Sequence, residues 1–413
     1  MDIIPHLFKS EHSTIVAVLT GYIGLDHLEL AEDVAGETFL LALDTWPYKG
    51  IPPNPTAWLY TVAKNKIKNH LVRNGIFKEK ILRQVNGGFL SDELNIDFSD
   101  QNIEDSQLQM LFAVCHPVIS VESQICLALR LLCGLGLDEI ADAFLTYKET
   151  IHKRLQRAKK KLRSKQITLD IPSGNDIQKR METVLQTIYL LFSEGYYSEN
   201  DRSIVRFELC TEAINLTYLL LENPLTNNHH TNALMSIMCF HSSRFKARTS
   251  GYGETILYDD QDRKLWDTEF IEKGFYYLQQ ASGWQQPSKY YLEASIAYWH
   301  TVDNQNPDKW MSILKLYDAL IAMYQVPMAE MNRIWAFSKV HGTMEAIREA
   351  EKLEIHANHF YFILLAELYK SVDSNRSIQY LSEAKSLCKG EAQKNMIQKR
   401  IEDIILNQED FKM

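Results

Sequence analysis

Apolar residues recur every three or four positions along most of this chain, which is the spacing of one face of an α-helix. Runs that alternate between apolar and polar residues, as half-buried strands do, are few. The clearest helical segments of the second half are residues 183–192, 207–221, 288–300, 310–324, 360–370 and 374–388. The pattern predicts an all-α protein.

Breaks in this helical pattern predict several domains. The chain has 413 residues, more than one hydrophobic core usually serves, so two or three domains are expected. A polar, acidic stretch around residues 86–105 and a Pro/Gly break at residues 172–174 interrupt the helices. We therefore predict an N-terminal helical domain over 1–84, a flexible linker over 85–104, a second small domain over 105–168 and a helical extension over 176–413.

The extension has the pattern of stacked helix pairs. Residues 375–387 resemble the second helix of a tetratricopeptide (TPR) unit, with one face formed by Ser377, Tyr380, Leu381 and Ala384. Such pairs stack into a solenoid, each burying its face on the next. Because the repeat period is irregular here, a compact helical bundle is the alternative.

Charge divides the first 165 residues into alternating blocks. Residues 1–59 carry eight acids and two bases, and residues 60–84 carry seven bases and one acid. Residues 85–140 are acidic again, and residues 141–165 carry nine bases and two acids, although the net charge of the chain is −9. A locally basic helix on an acidic protein indicates a polyanion that is contacted at one place.

Residues 137–165 have the pattern of a helix-turn-helix. A short helix is followed by a turn and a strongly basic second helix, whose apolar face consists of Ile151, Leu155, Ala158 and Leu162. Lys153 and Arg157 are one turn apart and share the opposite face. In a helix-turn-helix the second helix enters the major groove, and its cations hold phosphates.

Residues 57–73 combine aromatic, amide and cationic side chains on one predicted helix. Trp58, Val62, Ile67 and Leu71 can pack inward. The side chains left available are Tyr60, Lys64, Asn65, Lys68, Asn69 and Arg73. This mixture suits single-stranded nucleic acid, because cations follow the phosphates, rings stack on bases and amides read base edges. A solvated Lys-rich helix is the alternative.

Residues 31–43 form a predicted amphipathic helix with an acidic side. Val34, Thr38, Leu41 and Ala42 belong to one face. Asp33, Glu37 and Leu40 share another. Periodicity alone fits a helix whose acidic side is merely solvated.

These segments together, at residues 31–43, 58–73 and 137–163, resemble the successive functional segments of bacterial sigma factors of the extracytoplasmic-function type, within the sigma-70 family. Residues 105–117, 189–196 and 260–267, together with the long extension, are similar to the subgroup that carries a C-terminal TPR-like domain. The resemblance covers nearly the whole chain.

The resemblance implies a specificity subunit that binds core RNA polymerase, directs promoter-specific initiation and has no catalytic site of its own. The clamp helices of the largest polymerase subunit would bind Asp33, Glu37, Phe39 and Leu40. The minus-ten element would be melted and read by Tyr60, Lys64, Asn65, Asn69 and Arg73, with Asn65 gripping a flipped base. The minus-thirty-five element would face His152, Lys153, Arg154, Gln156 and Arg157. The extension would regulate activity by masking the DNA-binding face or by holding a peptide or protein regulator.

Two positions depart from the family pattern. His152 stands where relatives often have a longer basic residue. Gly36 stands where they often have a polar side chain, and it weakens its helix by up to about 1 kcal/mol. Independently of the resemblance, Arg154 or Arg157 could bind guanine bidentately, for about 1–3 kcal/mol of discrimination.

Two clusters invite a metal interpretation. The first, Cys115, His116, Cys126 and Cys133, has no CxxC pair and an apolar context, which favours a buried structural role over zinc. The second, Asp259, Asp260, Asp262 and Asp267, lacks the glycine and terminal glutamate of an EF-hand loop. Helix caps and ion pairs around Arg263, with Trp266 packed inward, are expected there instead. We expect His229-His230 to lie in a loop, and we expect neither a metal nor a cofactor.

Other features place the chain outside several classes. No nucleophile–base arrangement, phosphate-binding loop or dinucleotide fingerprint occurs, so catalysis by this chain is not expected. An apolar run of about 18 residues and a signal-peptide pattern are both missing, and the six cysteines lack paired spacing. These features predict a cytoplasmic protein with reduced thiols.

A different function also fits part of the pattern. A helix-turn-helix repressor or activator with a helical sensor domain needs only residues 137–165 and the extension. It leaves residues 31–43 and 58–73 without a purpose. A pure scaffold leaves both basic helices unexplained.

Overall fold

A computed structural model describes residues 3–73, 96–144, 146–197, 203–248, 256, 258–283, 287–324, 327–353, 358–388 and 391–410. Its regular elements are all helices within these ranges, which confirms the predicted all-α class. Most of the predicted linker, residues 85–95, lies outside the described residues, whereas residues 100–104 form the start of a helix. The helices divide into two compact units, Met1–Leu191 (unit 1) and Phe192–Met413 (unit 2).

Unit 1 contains seven helices and the first part of an eighth among its described residues. They are α1 (Ile3–Ile23), α2 (Leu28–Lys49), α3 (Pro55–Arg73), α4 (Asp100–Val114), α5 (Val121–Leu131), α6 (Leu137–Ala143), α7 (Lys148–Ser164) and the start of α8 (Asn175–Tyr197). Helix α1 is the centre of the unit, since it packs on α2, α3, α4 and α5. Residues 12–20 of α1 are therefore buried all round rather than along one stripe.

Helix α2 ends at Gly50, where the backbone adopts a conformation that favours glycine. Gly50 has φ +84°, a conformation that side chains with a Cβ rarely adopt, and its N–H donates to the carbonyl of Trp46 at 3.0 Å. The chain then turns back through two prolines into α3, which packs on α2. This turn places the two predicted functional helices side by side.

Residues 175–191 of α8 belong to unit 1, although the sequence pattern assigned them to the extension. Arg180 donates to the carbonyl of Phe112 on α4, and Thr187 donates to Oε1 of Gln124 on α5 at 2.7 Å. These polar contacts are buried or half-buried. The break at residues 172–174 suggested a boundary before α8, and nothing in the sequence indicated these contacts.

Among its described residues, unit 2 contains the rest of α8 and eleven further α-helices. They are α9 (Ser203–Glu222), α10 (His229–Ser242), α11 (Phe245–Arg248), α12 (Thr268–Gln280), α13 (Lys289–Thr301), α14 (Lys309–Met323), α15 (Pro327–His341), α16 (Thr343–Ala350), α17 (His359–Tyr369), α18 (Ser374–Leu387) and α19 (Glu391–Asp410). The six predicted segments of the second half correspond to α8, α9, α13, α14, α17 and α18. His229 begins α10 with Asn228 as its cap, so the prediction of a loop at His229-His230 is wrong.

From α13 on α14 through α18 on α19, the helices of unit 2 pack mainly on their neighbours in sequence, whereas α10 packs on α12 and α13. Successive small cores result, each shared by consecutive helices. In α18 three of the four residues predicted to face inward, Ser377, Leu381 and Ala384, are buried, and Tyr380 is half-buried. Ser377 Oγ donates to the carbonyl of Ala366 at 2.8 Å. Sequential packing is what stacked helix pairs produce; the TPR-like interpretation stays a prediction.

No helix in the described part of the chain is both long enough and apolar enough to span a lipid bilayer.

Candidate nucleic-acid interface

Helix α3 buries one face and presents another. Its buried residues are Leu59, Ala63, Ile67 and Leu71. The sequence placed Trp58 and Val62 on this inner face, but both are only half-buried, so the first half of the helix is turned by one residue from the predicted register. Trp58 instead meets the edge of Trp46 on α2 at a centroid distance of 5.3 Å.

The amide and cationic side chains of α3 reach solvent. Asn65, Asn69 and Arg73 are exposed and follow one another at a spacing of four residues, so they form one face. Amides read base edges and an arginine holds phosphate. The structure therefore brings together three of the five residues expected at the minus-ten element.

Tyr60 is held against the start of α4 instead of facing solvent. Its hydroxyl donates to Oε2 of Glu11 at 2.6 Å, and its ring stacks on Phe98 with centroids 4.4 Å apart and planes at 20°. Burial, and then the hydrogen bond to the Glu11 carboxylate, raise the pKa of Tyr60 well above its ordinary value. Lys64, one turn on, has its Nζ 5.4 Å from the centre of the Phe98 ring.

Helix α2 directs its predicted site residues in different directions. Asp33 is exposed, and Leu40 is 61% exposed, which is unusual for a leucine next to a core. Phe39 is only 3% exposed and packs edge-on against Phe8 at 5.0 Å, so its ring belongs to the interior of unit 1.

Glu37 is fixed by two bases of α3. Its Oε2 lies 2.8 Å from Lys66 Nζ, and its Oε1 lies 3.6 Å from His70 Nε2. The hydrogen bond from Lys66 is the main reason why the pKa of Glu37 lies below its ordinary value. The carboxylate is therefore ionised and held in one orientation on the surface.

Helix α7 has the face that the sequence predicted. Ile151, Leu155, Ala158 and Leu162 are buried, and α7 packs on α5 and α6. The opposite side exposes His152, Lys153, Gln156 and Arg157. Lys153, Arg154 and Arg157 line an open recess together with Ser123 and Thr150. Hydroxyls and cations in one recess suit a phosphate backbone.

Arg154 lies on the edge of this face and turns toward α5. Its Nη1 is 3.8 Å from Cys126 Sγ, and its guanidinium lies 5.9 Å from the centre of the Phe144 ring. Arg154 is thus half-buried, and of the five residues expected at the minus-thirty-five element it is the one least presented to solvent.

Ion pairs join α2 to α7, and the sequence analysis missed them. Glu32 pairs with Lys159, and its Oε1 lies 3.8 Å from Arg130 Nε on α5. Glu29 pairs with Arg163 at 3.3 Å. The cations of the second helix were expected to hold phosphates, but Lys159 is paired with a carboxylate here. The sequence did contain a signal for these ion pairs. Helix α2 lies in an acidic block and α7 in a basic block, and opposite charges attract.

The two suspected metal clusters have other structures. Cys115, Cys126 and Cys133 are buried and are not joined in disulfides, and Nδ1 of His116 accepts from the N–H of Val118 at 3.0 Å. Within the described ranges, no group of three or more His, Cys, Asp or Glu side chains is arranged to hold a metal ion.

The acidic cluster supplies helix caps, as predicted. Asp262 caps a short 3-10 turn at Lys264, and Asp267 caps α12 at Glu269 and Phe270. Trp266 is 8% exposed, also as predicted. Arg263 differs from expectation: it donates to the carbonyl of Val302 at 2.8 Å, and no carboxylate among the described side chains pairs with it. The side chain of Asp259 lies outside the described residues.

Comparisons with known proteins agree with this geometry at the N-terminus. Residues 7–76, which span most of α1 and all of α2 and α3, match sigma-70 region 2. Residues 180–282 match a family of unknown function, DUF6596. An uncharacterized protein of Rhizobium meliloti (strain 1021) is 31% identical over 342 residues, covering 81% of this chain and 80% of that protein. No solved structure matches the chain.

The match to sigma-70 region 2 falls on the helices that carry the exposed amides of α3 and the exposed Leu40 of α2. The chain therefore belongs to the family of the Rhizobium protein, and it carries a sigma-70 region 2 at residues 7–76.

Proposed function

We propose that this protein is an alternative sigma factor that binds core RNA polymerase and directs promoter-specific initiation, without a catalytic site of its own. The observation that carries the proposal is the match of α1–α3 to sigma-70 region 2, on helices whose exposed residues include Asn65 and Asn69. Transcription from a particular promoter then depends on the DNA that these helices select.

The polymerase contact is assigned to the outer side of α2. Leu40 and Leu43 are both exposed and lie three residues apart on α2, and an exposed apolar patch with polar residues around it marks a protein interaction site. Leu40 supplies apolar area, and Asp33 and Glu37 supply charge that faces basic groups on the clamp helices of the largest subunit. Phe39 contributes by fixing α2 on α1 through Phe8 and not by direct contact.

The minus-ten contact is assigned to α3. Asn65 is one helical turn from Asn69 and two turns from Arg73, so an opened strand along this face meets two amides and then a cation. Tyr60 and Lys64 extend the same surface toward Phe98. Capture of unstacked bases here supplies free energy for opening the duplex.

The minus-thirty-five contact is assigned to α7. Lys153 and Arg157 lie on its exposed face, with Gln156 and His152 beside them. Either cation holds phosphate, and an arginine in the groove reads guanine. Arg154 must turn away from Cys126 to reach a base.

We further propose that unit 2 regulates promoter activity, as the C-terminal extension of the resembled subgroup would. A chain ending after Tyr197 keeps the contacts of Arg180 and Thr187 that belong to unit 1. Its promoter activity is expected to differ from that of the full chain in a transcription assay. Equal activity of the two proteins contradicts this part of the proposal.

The sigma-factor proposal is tested by binding of the full-length protein to core RNA polymerase without DNA. Leu40→Gln is expected to lower the affinity about fivefold or more, because it removes an apolar contact from the interface. Leu406→Gln is the matched control, since Leu406 is 60% exposed on α19.

Two results count against the proposal. Absence of core binding by the wild-type protein contradicts it. Binding to duplex DNA without any affinity for core polymerase supports the helix-turn-helix repressor or activator instead.

A further inference from the structure

A two-residue segment before α4, Asp97-Phe98, covers part of the strand-binding face of α3. We propose that Asp97-Phe98 substitutes for one nucleotide of single-stranded DNA and occupies a base-stacking position on Tyr60 until an opened strand displaces it. This inference rests on the proposed function, because it takes α3 as the helix that binds the strand.

Phe98 has the geometry of a stacked base. Its ring is nearly parallel to that of Tyr60, at 20°, with centroids 4.4 Å apart. Stacking of a flat ring on an exposed aromatic side chain is how proteins hold single-stranded bases regardless of sequence. Lys64 Nζ lies 5.4 Å from the same ring, within the range of a cation–π contact.

Asp97 places a negative charge on the residue next to the stacked ring, as a phosphate adjoins a base in a nucleotide. Hydrogen bonds from Ser99 are the main cause that lowers the pKa of Asp97, and the charge of Lys64 adds to them. The carboxylate is thus ionised near the cation that would bind the strand. One aromatic ring and one adjacent anion reproduce the two features of a nucleotide that α3 recognises.

The segment is held in this position by its own contacts. Ile96 is 2% exposed, the side chain of Asp97 accepts from Ser99 N at 2.9 Å and from Ser99 Oγ at 2.8 Å, and Asn102 Nδ2 donates to the carbonyl of Asp97 at 2.7 Å. Phe98 is therefore presented to Tyr60 by a fixed turn.

The neighbouring face of α3 lies open at the same time. Asn65 and Asn69 are exposed, so a strand can engage them before it reaches Tyr60. Displacement of Phe98 then exchanges one stacking contact for another. Because of this exchange, the free protein binds single-stranded DNA more weakly than it would if Phe98 did not cover Tyr60.

The test measures the affinity of the full-length protein for a fluorescein-labelled oligothymidine at one fixed salt concentration, because salt dominates such affinities. Phe98→Ala is expected to bind about five- to tenfold more tightly than wild type, since one stacking competitor is removed. Tyr60→Ala in the Phe98→Ala background is expected to abolish the gain. Phe360→Ala, which removes a 40% exposed phenylalanine of α17, is the control and is expected to match wild type.

Phe98→Leu keeps apolar bulk at this position but not a flat ring, so it carries the test if Phe98→Ala fails to fold. It is expected to bind more tightly than wild type, by a smaller factor. Equal or weaker binding by the folded Phe98 variants, including no binding by any protein, overturns the inference.

Core-polymerase binding is measured on the same proteins. If the Phe98 variants bind core as wild type does while their affinity for the oligonucleotide is unchanged, the inference fails and the sigma-factor proposal stands. If wild type does not bind core at all, the sigma-factor proposal fails, whatever the oligonucleotide result.

Discussion

The carboxylate of Glu32 on α2 pairs with the ammonium of Lys159 on α7, and the two side chains are only 14% and 16% exposed. Arg130 of α5 lies on the other oxygen of the same carboxylate, at 3.8 Å. One carboxylate is therefore shared by two bases in a partly buried place. Removal of that acid leaves both cations without this partner. Removing one partner of a buried ion pair destabilises a protein more than replacing the whole pair by apolar residues.

Glu32→Gln is expected to lower the free energy of unfolding by about 1–3 kcal/mol, because the amide is uncharged while both cations remain. The measurement is urea unfolding followed by circular dichroism. Asp138→Asn is the matched control. Its pair with Lys148 is 73% and 51% exposed, so it is expected to change stability by about 0.5 kcal/mol or less. Equal effects of the two substitutions would mean that Glu32 is solvated in solution.

His12 is expected to make unit 1 less stable in acid. Burial, and then the charge of Arg130, lower its pKa from 6.5 to about 4. Between these two pH values the unfolded chain binds a proton at His12 and the folded chain does not. The free energy of unfolding therefore falls as the pH falls through this window, by about 2–3 kcal/mol from this residue.

His12→Leu removes this contribution. Nδ1 of His12 has no hydrogen-bond partner among the described residues, so leucine is expected to cost little near neutral pH. Urea unfolding of both proteins at several pH values between about 7 and 4.5 measures the difference. Parallel pH profiles for the two proteins would show that the pKa of His12 is the same in the folded and the unfolded chain, and would contradict the prediction.

Gly274 on α12 is expected to tolerate no side chain. A Cβ at this position would lie 2.7 Å from Cε1 of Phe240, which is 1% exposed on α10. Gly274→Ala is therefore expected to lower the free energy of unfolding by about 1–3 kcal/mol. Gly36 on α2 is the control, because nothing lies within 4 Å of a Cβ there, and Gly36→Ala is expected to stabilise by about 0.5–1 kcal/mol. Thermal unfolding shifts of the same sign in both variants would contradict the close approach.

Arg157 and Lys161 are expected to differ in how they contribute to promoter binding. Arg157→Ala is expected to cost about 1–3 kcal/mol on the preferred promoter and to relax selectivity at one base pair. Lys161→Ala is expected to weaken binding to all sequences. It is also expected to reduce the slope of log K against log salt concentration by about one, because one phosphate contact fewer is made.

The measurement is filter binding of the reconstituted holoenzyme to promoter and non-promoter fragments over a range of salt. Lys399→Ala, at an exposed lysine of α19, is the control and should leave both quantities unchanged. A purely sequence-independent loss in Arg157→Ala would assign that arginine to the phosphate backbone.

The sequence predicted the helical class and the inner faces of α7 and α18. Ile151, Leu155 and Leu162 recur at helical spacing and are separated by charged residues, so only one orientation of α7 buries apolar area. The caps at Asp262 and Asp267 were also predictable, because capping depends on residues within one turn.

The register of α3 was not predictable from the same kind of pattern. Trp58 and Val62 are apolar, but so are Leu59 and Ala63, and neighbouring residues on a helix point about 100° apart. Only the position of α3 on α1 and α2 selects the second pair for burial. Phe39 and Leu40 present the same ambiguity, and packing against Phe8 turned one inward and left the other exposed.

The sequence by itself thus determined which segments are helices, which charges are dense and which face of a strongly amphipathic helix is buried, since these depend on residues close together in the chain. The tertiary structure decided that Glu32 meets Lys159, that Phe98 stacks on Tyr60 and that Gly274 meets Phe240. Each of these contacts joins separate helices or a helix and a distant turn. Many pairings of similar charges and rings satisfy the local pattern equally well, and only the packing of the whole unit selects one.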